Sequence, residues 1–510
     1  MRAKRALMGF ASDLSGNALL VAAGLVTAPI ILRLTSVSLY GFWVTTLSIL
    51  GYLALTDLGL GISLTRLVTA LTEERDVQLL NRLVSTSFFT FCATGILFLG
   101  IGLSFSPLIP IWFKIPEIEA ASVVPAYQVA VLAAAIALPL SVFGALVVGF
   151  QRMAIENTVR NLVSLFAVGV SLGLLLAGLG IMALALASLF TVLVSSSINY
   201  LYARRLFPSL NINIALVNRV DLKRLITFGG YFQLGRVATA VALSTDNIVI
   251  AAFRSPAMVT PYVFTSKLAM LFSLTIVTKM PIAIFPALSQ MFARKENRQL
   301  QQAFFRLVHY STRLAIVASA FVAVANYQFI TLWVGVEYFG GPMLNLVFVY
   351  WILSTTVLYA ITSIVYASGD MRNWVLVSMA EAAINLTASI LLVKPFGLVG
   401  VALGTSVGKT LTTGWYTPYW ICKKLKIPIG DFIWRGVLYT ALRSSPGVVL
   451  TVWMAYVLPT IWGWGWIGLV GLTAALTNLI AFEGIELAKP SDLSLRKRAR
   501  QLLTLDIGGQ

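Results

Sequence analysis

Apolar runs near twenty residues long recur along the whole 510-residue chain and leave no stretch over for a folded soluble domain. At 1.5 Å per residue, each run is long enough as a helix to cross a hydrocarbon core of roughly 30 Å. The residues are 58% hydrophobic and only 11% charged, with mean hydropathy +0.88. That is too little polar surface to cover soluble domains of this length, so lipid must be the solvent for most of the chain. Spans are expected at about 12 to 34, 40 to 63, 82 to 104, 120 to 149, 158 to 177, 180 to 203, 226 to 253, 260 to 289, 304 to 325, 344 to 368, 374 to 393, 398 to 421, 436 to 458 and 462 to 486. Only a weak turn at Gly178 and Gly180 separates the fifth from the sixth, which sets the range at twelve to fourteen. The expected fold is an all-α polytopic membrane protein of about 14 transmembrane helices.

A net charge of +18 invites a nucleic-acid partner, but the cations follow the spans. Lys and Arg bias short loops toward the cytoplasm. With the N-terminus inside, most of the 37 Lys and Arg fall in inner loops or tails, among them Arg2, Lys4, Arg5, Arg204, Arg205, Lys223, Arg224, Lys423, Lys424 and Lys426. Outer loops carry only Arg33, Lys114, Arg254 and Lys394. The pattern predicts both termini in the cytoplasm, an even number of spans and no nucleic acid. The basic start runs into a full-length apolar segment with no small-residue cleavage site before Pro29, which predicts an uncleaved first helix. Cys92 and Cys422 lie in or beside spans and offer neither a disulfide framework nor metal-ligand spacing. Residues Ser491 to Leu505, with Arg496, Lys497, Arg498 and Arg500 beside Leu493, Leu502 and Leu503, predict a basic surface helix on anionic lipid.

Slid against itself by about 220 residues, the chain meets its own pattern at five anchors. Trp112 meets Trp333, Arg33 meets Arg254, and Leu39-Tyr40-Gly41 meets Pro261-Tyr262-Val263. Gly149-Phe150-Gln151-Arg152 meets Gly369-Asp370-Met371-Arg372, and Gly178-Leu179-Gly180 meets Gly397-Leu398-Val399-Gly400. Six spans per repeat is an even number, so both halves keep one orientation and form a parallel repeat with the substrate path between them. The predicted organisation is a six-helix lobe over 1–203, a cytoplasmic linker over 204–225, a second six-helix lobe over 226–421, extra helices thirteen and fourteen over 436–486, and a basic cytoplasmic tail over 487–510.

An ionisable side chain at mid-bilayer costs on the order of 3 kcal/mol. Six basic residues fall within spans: Arg236, Lys267, Lys279, Arg313, Lys409 and Arg443. Facing lipid, they would together cost on the order of 15 to 20 kcal/mol, more than the net stability of a typical fold. They are therefore expected to line a hydrated cavity or to pair with acids. Arg236, Lys279, Arg313 and Lys409 lie about ten residues from the inner ends of their spans, near ~15 Å depth, and are expected to share one central cavity. Arg443, nearer a span end, reads as snorkelling to the headgroups, and Lys267 admits that reading too. Asp57 aligns with Lys279 in the repeat, while Asp246 and Lys267 fall toward the outer side of adjacent spans, where they are placed to pair. Mid-membrane cations suit an anionic cargo, Arg as a planar fork for phosphate oxygens and Lys as a point charge. Asp57 and Asp246 carry two readings, countercharge or ion-coupling carboxylate.

The segment Tyr40-Gly41-Phe42-Trp43, followed by Thr56-Asp57-Leu58-Gly59-Leu60-Gly61, resembles the first helical hairpin of polysaccharide-unit flippases of the Wzx type. Thr245-Asp246-Asn247-Ile248-Val249-Ile250 with Tyr262 and Lys267, then Phe285-Pro286-Ala287-Leu288-Ser289 and Leu332-Trp333-Val334-Gly335, are similar to that family's second half. The resemblance covers roughly 1 to 422. It implies membership of the multidrug, oligosaccharidyl-lipid and polysaccharide exporter superfamily, with two six-helix lobes around a central cavity that opens alternately to each side. It also implies a cargo of undecaprenyl-pyrophosphate-linked oligosaccharide, moved across the inner (cytoplasmic) membrane at the expense of an ion gradient, with polysaccharide polymerase and glycosyltransferases as partners. A multidrug exporter of the same architecture would favour an acidic, apolar cavity, against which the basic midplane layer stands. A lipid-linked peptidoglycan precursor is a closely related cargo that stays open. Gly463-Trp464-Gly465-Trp466-Ile467-Gly468 fits G-x-G-x-x-G without the strand and βαβ unit a nucleotide site needs, and there is no Walker lysine, so no cofactor is expected. Membrane glycosyltransferase chemistry needs paired carboxylates or a large outer loop, and the short outer loops hold only Glu117, Glu119 and Glu337.

Overall fold

The computed structural model describes residues 2–53, 59–74, 76–276, 279–370, 372–458 and 460–486; the side chains of 2–15, most of 228–243, 274–283, 479–486 and a few others are not described. Among the described residues every regular element is helical. In chain order these are helix one (Arg2–Leu34), two (Val37–Leu53 and Leu60–Glu74), three (Val77–Phe105), four (Glu117–Gly149), five (Met153–Leu176), six (Met182–Leu206) and seven (Arg219–Phe253). Then follow eight (Pro256–Met270 and Lys279–Ala293), nine (Asn297–Trp333), ten (Pro342–Ala367), eleven and twelve (Arg372–Leu411, divided at Gly397, then Thr413–Leu425), thirteen (Tyr439–Val457) and fourteen (Trp464–Glu486). Large apolar side chains stand out around the periphery, Phe166 and Leu176 of helix five each 74% exposed. Water would penalise that surface and hydrocarbon satisfies it, so the chain is an integral membrane protein.

Two spans expected to be continuous, 40–63 and 260–289, are interrupted. In the second helix Gly59 has φ 75°, outside the helical range, and a new helix begins at Leu60. In the eighth, a π-helical turn over Leu271–Ile276 precedes the second piece. Pro281 follows, and a proline has no N–H to continue a helical hydrogen-bond ladder. The two interruptions fall at equivalent positions of the 220-residue repeat. The second helix of each lobe therefore has a half near the termini and a half at the far, distal end.

Helices eleven and twelve form a tight antiparallel hairpin that turns near Pro395 and Gly397. Gly400, Gly404 and Gly408 lie four apart on helix twelve, a small-residue stripe that lets two backbones approach. A Cβ at Gly404 would sit 2.5 Å from the Ser389 amide nitrogen, and one at Gly408 2.9 Å from that of Asn385. Valine at 404 should therefore cost roughly 1–3 kcal/mol by overpacking and lower the melting temperature of the purified protein. An unchanged melt would mean that the seam has slack.

The interior explains the overall shape. One apolar cluster joins both lobes and helix fourteen, from Phe42, Phe98 and Val131 through Ile250 and Tyr262 to Trp351, Val401 and Val470. Two separate clusters fill the terminal halves: Leu64, Leu83, Phe91 and Leu146 in the first lobe, and Leu288, Phe304, Ile364 and Phe432 in the second. The lobes thus merge distally and part toward the end that carries the termini.

Helix seven starts at Arg219, seven residues before the expected span. Asn218 caps it, its side-chain oxygen accepting from the Val220 amide at 2.8 Å, and Asp221 sits in the first turn where the helix dipole favours an acid. The preceding linker is stitched to helix three: Asn81 donates to the Ser209 carbonyl and accepts from the Asn211 amide, and Ser85 and Thr86 accept from the Asn213 and Asn218 amides. Arg82 pairs with Asp221 at 2.8 Å, and Ser63 donates to the Leu225 carbonyl at 2.7 Å.

Candidate functional site

The distal seam is closed by helices one and two against seven, eight and nine. Thr260 donates to the Val37 carbonyl at 2.9 Å, Tyr40 stacks on Phe264 at 5.2 Å, and the Trp333 indole donates to the Leu25 carbonyl at 2.6 Å. Deeper in, Asn247 donates to Ser48 at 2.9 Å, and the Tyr52 hydroxyl meets that of Thr245. At Gly41 a Cβ would collide with the Pro256 carbonyl, so only glycine permits this approach. Val37–Leu53 packs along Pro256–Met270 over much of its length. Among the described residues, no comparable packing joins Leu60–Glu74 to Lys279–Ala293. Among the described residues, the packing of helix two on helix eight is thus confined to their distal halves.

Lys267 lies directly beneath this seal. Thr260, Phe264 and Lys267 are spaced i, i+4, i+7, hence on one face of helix eight, and the first two of them meet helices one and two. Eleven residues beyond Pro256, Lys267 sits roughly 17 Å below the distal end of its helix, at mid-membrane depth. It is half-buried, and no hydrogen bond or ion pair to it occurs among the described residues. The side chain of Arg236 lies outside the described residues. So does that of Lys279, the first residue of the terminal half of helix eight, and Asp57 falls wholly outside them.

Asp246 does not pair with Lys267 as expected. Tyr262 is turned about 200° from Phe264 around helix eight, back into its own lobe, and its hydroxyl donates to Asp246 at 2.5 Å. Thr405 meets both carboxylate oxygens at 2.9 and 3.0 Å, while the side-chain oxygen of Asn385 lies 3.1 Å from Thr405 and accepts from Ser389 at 3.1 Å. Lys267, on the Phe264 face, is directed away from this nest. Beside Asp246, Tyr262 and Thr405 is a cavity of about 20 Å³, also lined by Met270, Val347, Phe348, Trp351 and Ala402. That is room for about one water molecule or one bare monovalent cation.

Lys409 pairs with Glu381, Nζ to Oε1 3.2 Å, and Thr413 donates to the other Glu381 oxygen. Arg313 instead donates to the Asn478 carbonyl of helix fourteen at 2.7 Å. The structure thus gives these two cations different partners rather than gathering them with each other. Arg443 sits 4.9 Å from the ring of Tyr439. Glu381 and Asn385 were not among the residues picked out by sequence. The signal was present: Glu381 and Lys409 stand fourteen residues either side of Pro395, as Asn385 and Thr405 stand ten either side, so a hairpin there sets each pair side by side.

A family model described as polysaccharide biosynthesis protein matches residues 7–292, more than half of the chain. The chain belongs to this family. Its fold is similar to that of the lipid II flippase MurJ in an inward closed conformation, with TM-score 0.65 and 13% identity over 95% of this chain and 98% of that one. It is also similar to a multidrug resistance MATE family transporter of the MOP superfamily, inward-facing at TM-score 0.62, 15% identity, 80% of this chain and 98% of that one. The outward-facing form gives 0.58 at 15% identity, with 83% and 96% covered. No curated protein matches the chain by sequence. These likenesses show the fold: an all-helical bundle of many apolar helices. The part unmatched by MurJ is shorter than helices thirteen and fourteen together, so the likeness extends into them.

Proposed function

We propose that this protein flips undecaprenyl-pyrophosphate-linked oligosaccharide units across the cytoplasmic membrane by alternating access, coupled to a monovalent cation gradient. The moving bodies in this reading are the lobes over 1–203 and 226–421, with both termini in the cytoplasm. The open side then faces the compartment where lipid-linked sugars are assembled. Lys267 carries the assignment: a cation at mid-membrane depth, on the face of helix eight that meets the other lobe, under the distal seal and without an acid partner among the described residues. An unpaired intramembrane cation costs stability unless an anion uses it, and a pyrophosphate supplies that anion. Arg236 and Lys279 are assigned to the same cavity, and Arg313 and Lys409 to its periphery. Asp246 is assigned to ion coupling, because its buried oxygens and those of Thr405 and Tyr262 converge beside a cavity of one-ion size. Asp57 is assigned to coupling from the first lobe, and the basic tail to anionic lipid.

The test is export in a strain lacking its own repeat-unit flippase. The unaltered chain is expected to restore polysaccharide at the cell surface, and Lys267→Gln to abolish this at equal protein level in the membrane. Full export with glutamine at 267 would remove the anion role. A multidrug activity would show instead as resistance to cationic dyes with no gain in surface polysaccharide.

A further inference from the structure

Glu381 is a buried carboxylate with two partners that stand on opposite sides of a break in helix twelve. Lys409 lies before the break and Thr413 after it, and Thr412 between them has φ −125° and ψ −96°, far from helical values. The side chains of Lys409 and Glu381 keep 16% and 10% of their surface open, so the pair is enclosed yet reachable from one side. Both residues lie near mid-membrane, Glu381 nine residues from Arg372 and Lys409 eleven from Leu398. The first lobe has no such joint, since helix six runs unbroken from Met182 to Leu206. Among the described residues, the titratable groups facing Glu381 are Lys409 of helix twelve and Tyr359 of helix ten, which lies near enough to sense its charge.

We propose that Glu381 and Lys409 form an exchange switch in which a phosphate group of the cargo takes Lys409 and Glu381 takes a proton in its place. This rests on the reading of the cargo as a polyprenyl pyrophosphate. In the empty protein the pair is neutral. When the ammonium moves to a phosphate oxygen, Glu381 would be left as an enclosed, uncompensated anion within the span, a state that a low-dielectric site resists. One proton from the open side neutralises it, so charge balances: one anion enters, one proton enters, and the lysine changes partner. Thr413 then loses its anionic acceptor, which frees the segment after the break to change angle. Anion capture and proton uptake are thereby one event, and the linkage is reciprocal: raising pH weakens cargo binding as the cargo weakens the hold of Glu381 on Lys409.

The experiment measures binding of farnesyl pyrophosphate, a short soluble polyprenyl pyrophosphate, to the purified full chain from pH 6 to 8. The titration of the ligand itself is common to all variants and cancels on comparison. Between pH 6 and 8 the Kd of the unaltered protein should rise with pH by up to about tenfold more per pH unit than that of Glu381→Gln. The double variant Glu381→Gln with Lys409→Gln removes both charges, guards against misfolding of the single one, and should lack the extra slope while binding more weakly. Equal slopes in all three proteins would overturn the exchange and leave the cargo assignment standing. Absence of binding by any of them would overturn the pyrophosphate reading, and the switch with it.

Discussion

Lys409→Ala should lower the stability of the folded protein by roughly 3–5 kcal/mol, because it strands Glu381 as an uncompensated buried charge. Adding Glu381→Gln should recover most of that loss, since the double change removes both charges and leaves only a packing defect. The measurement is thermal unfolding of the purified variants in one detergent, read beside their level in membranes. A Lys409→Ala protein as stable as its parent would show that the pair contributes nothing, and a double variant no better than the single one would place the loss in packing. A cation lining a cavity without a partner would behave in the opposite way, gaining stability on removal. Charge counting along the span treats both cases alike. The acid at 381 separates them.

Gly41→Val is expected to abolish export while leaving the protein inserted and folded. The valine side chain would run into the Pro256 carbonyl, and this atom belongs to the main chain of helix eight and cannot swing aside. Overpacking of this kind costs about 1–3 kcal/mol, felt only in the distally closed state, which shifts the ratio of closed to open by roughly fivefold to 150-fold. A cysteine placed beside the seam should then react faster with a membrane-impermeant maleimide applied from the distal side. Normal export together with unchanged labelling would show that Gly41 does not meet helix eight during transport. Gly41 lies in the Tyr40-Gly41-Phe42-Trp43 segment that carries part of the family resemblance, and the close approach gives that segment a physical reason.

The helices were legible because lipid imposes a length and an apolar content that few other environments demand, while the repeat rests on the punctuation shared by Gly149 and Gly369 or Trp112 and Trp333. Interruptions inside spans were harder to see. The stretch from Leu271 to Ile276 is as apolar as any helix, and the proline that follows stands five residues further on. Partners were hardest. Asp246 and Lys267 fall on adjacent spans, but span position says nothing about azimuth, and the 200° between Phe264 and Tyr262 directs one side of helix eight to the other lobe and one side to its own. Glu381 escaped notice because a span with one acid and a neighbouring span with one base look like two isolated exceptions until the hairpin register is known.

The stitched linker decides where the molecule bends. A loose tether between the lobes would let each half tilt independently, with the connection trailing along. Here residues 209–225 travel with the first lobe, held by Asn81, Arg82, Ser85, Thr86 and Ser63, so the opening turn of helix seven belongs mechanically to the lobe it leaves. By Asn247 and Ile250 the same helix is embedded in the core of the other lobe. Any rocking of one half on the other must be absorbed between those points, within a single helix that contains the consecutive glycines Gly229 and Gly230. Helix seven thus acts as a leaf spring clamped at both ends, and stiffening it with alanine at Gly229 and Gly230 alone should slow transport without altering any residue assigned to cargo or ion.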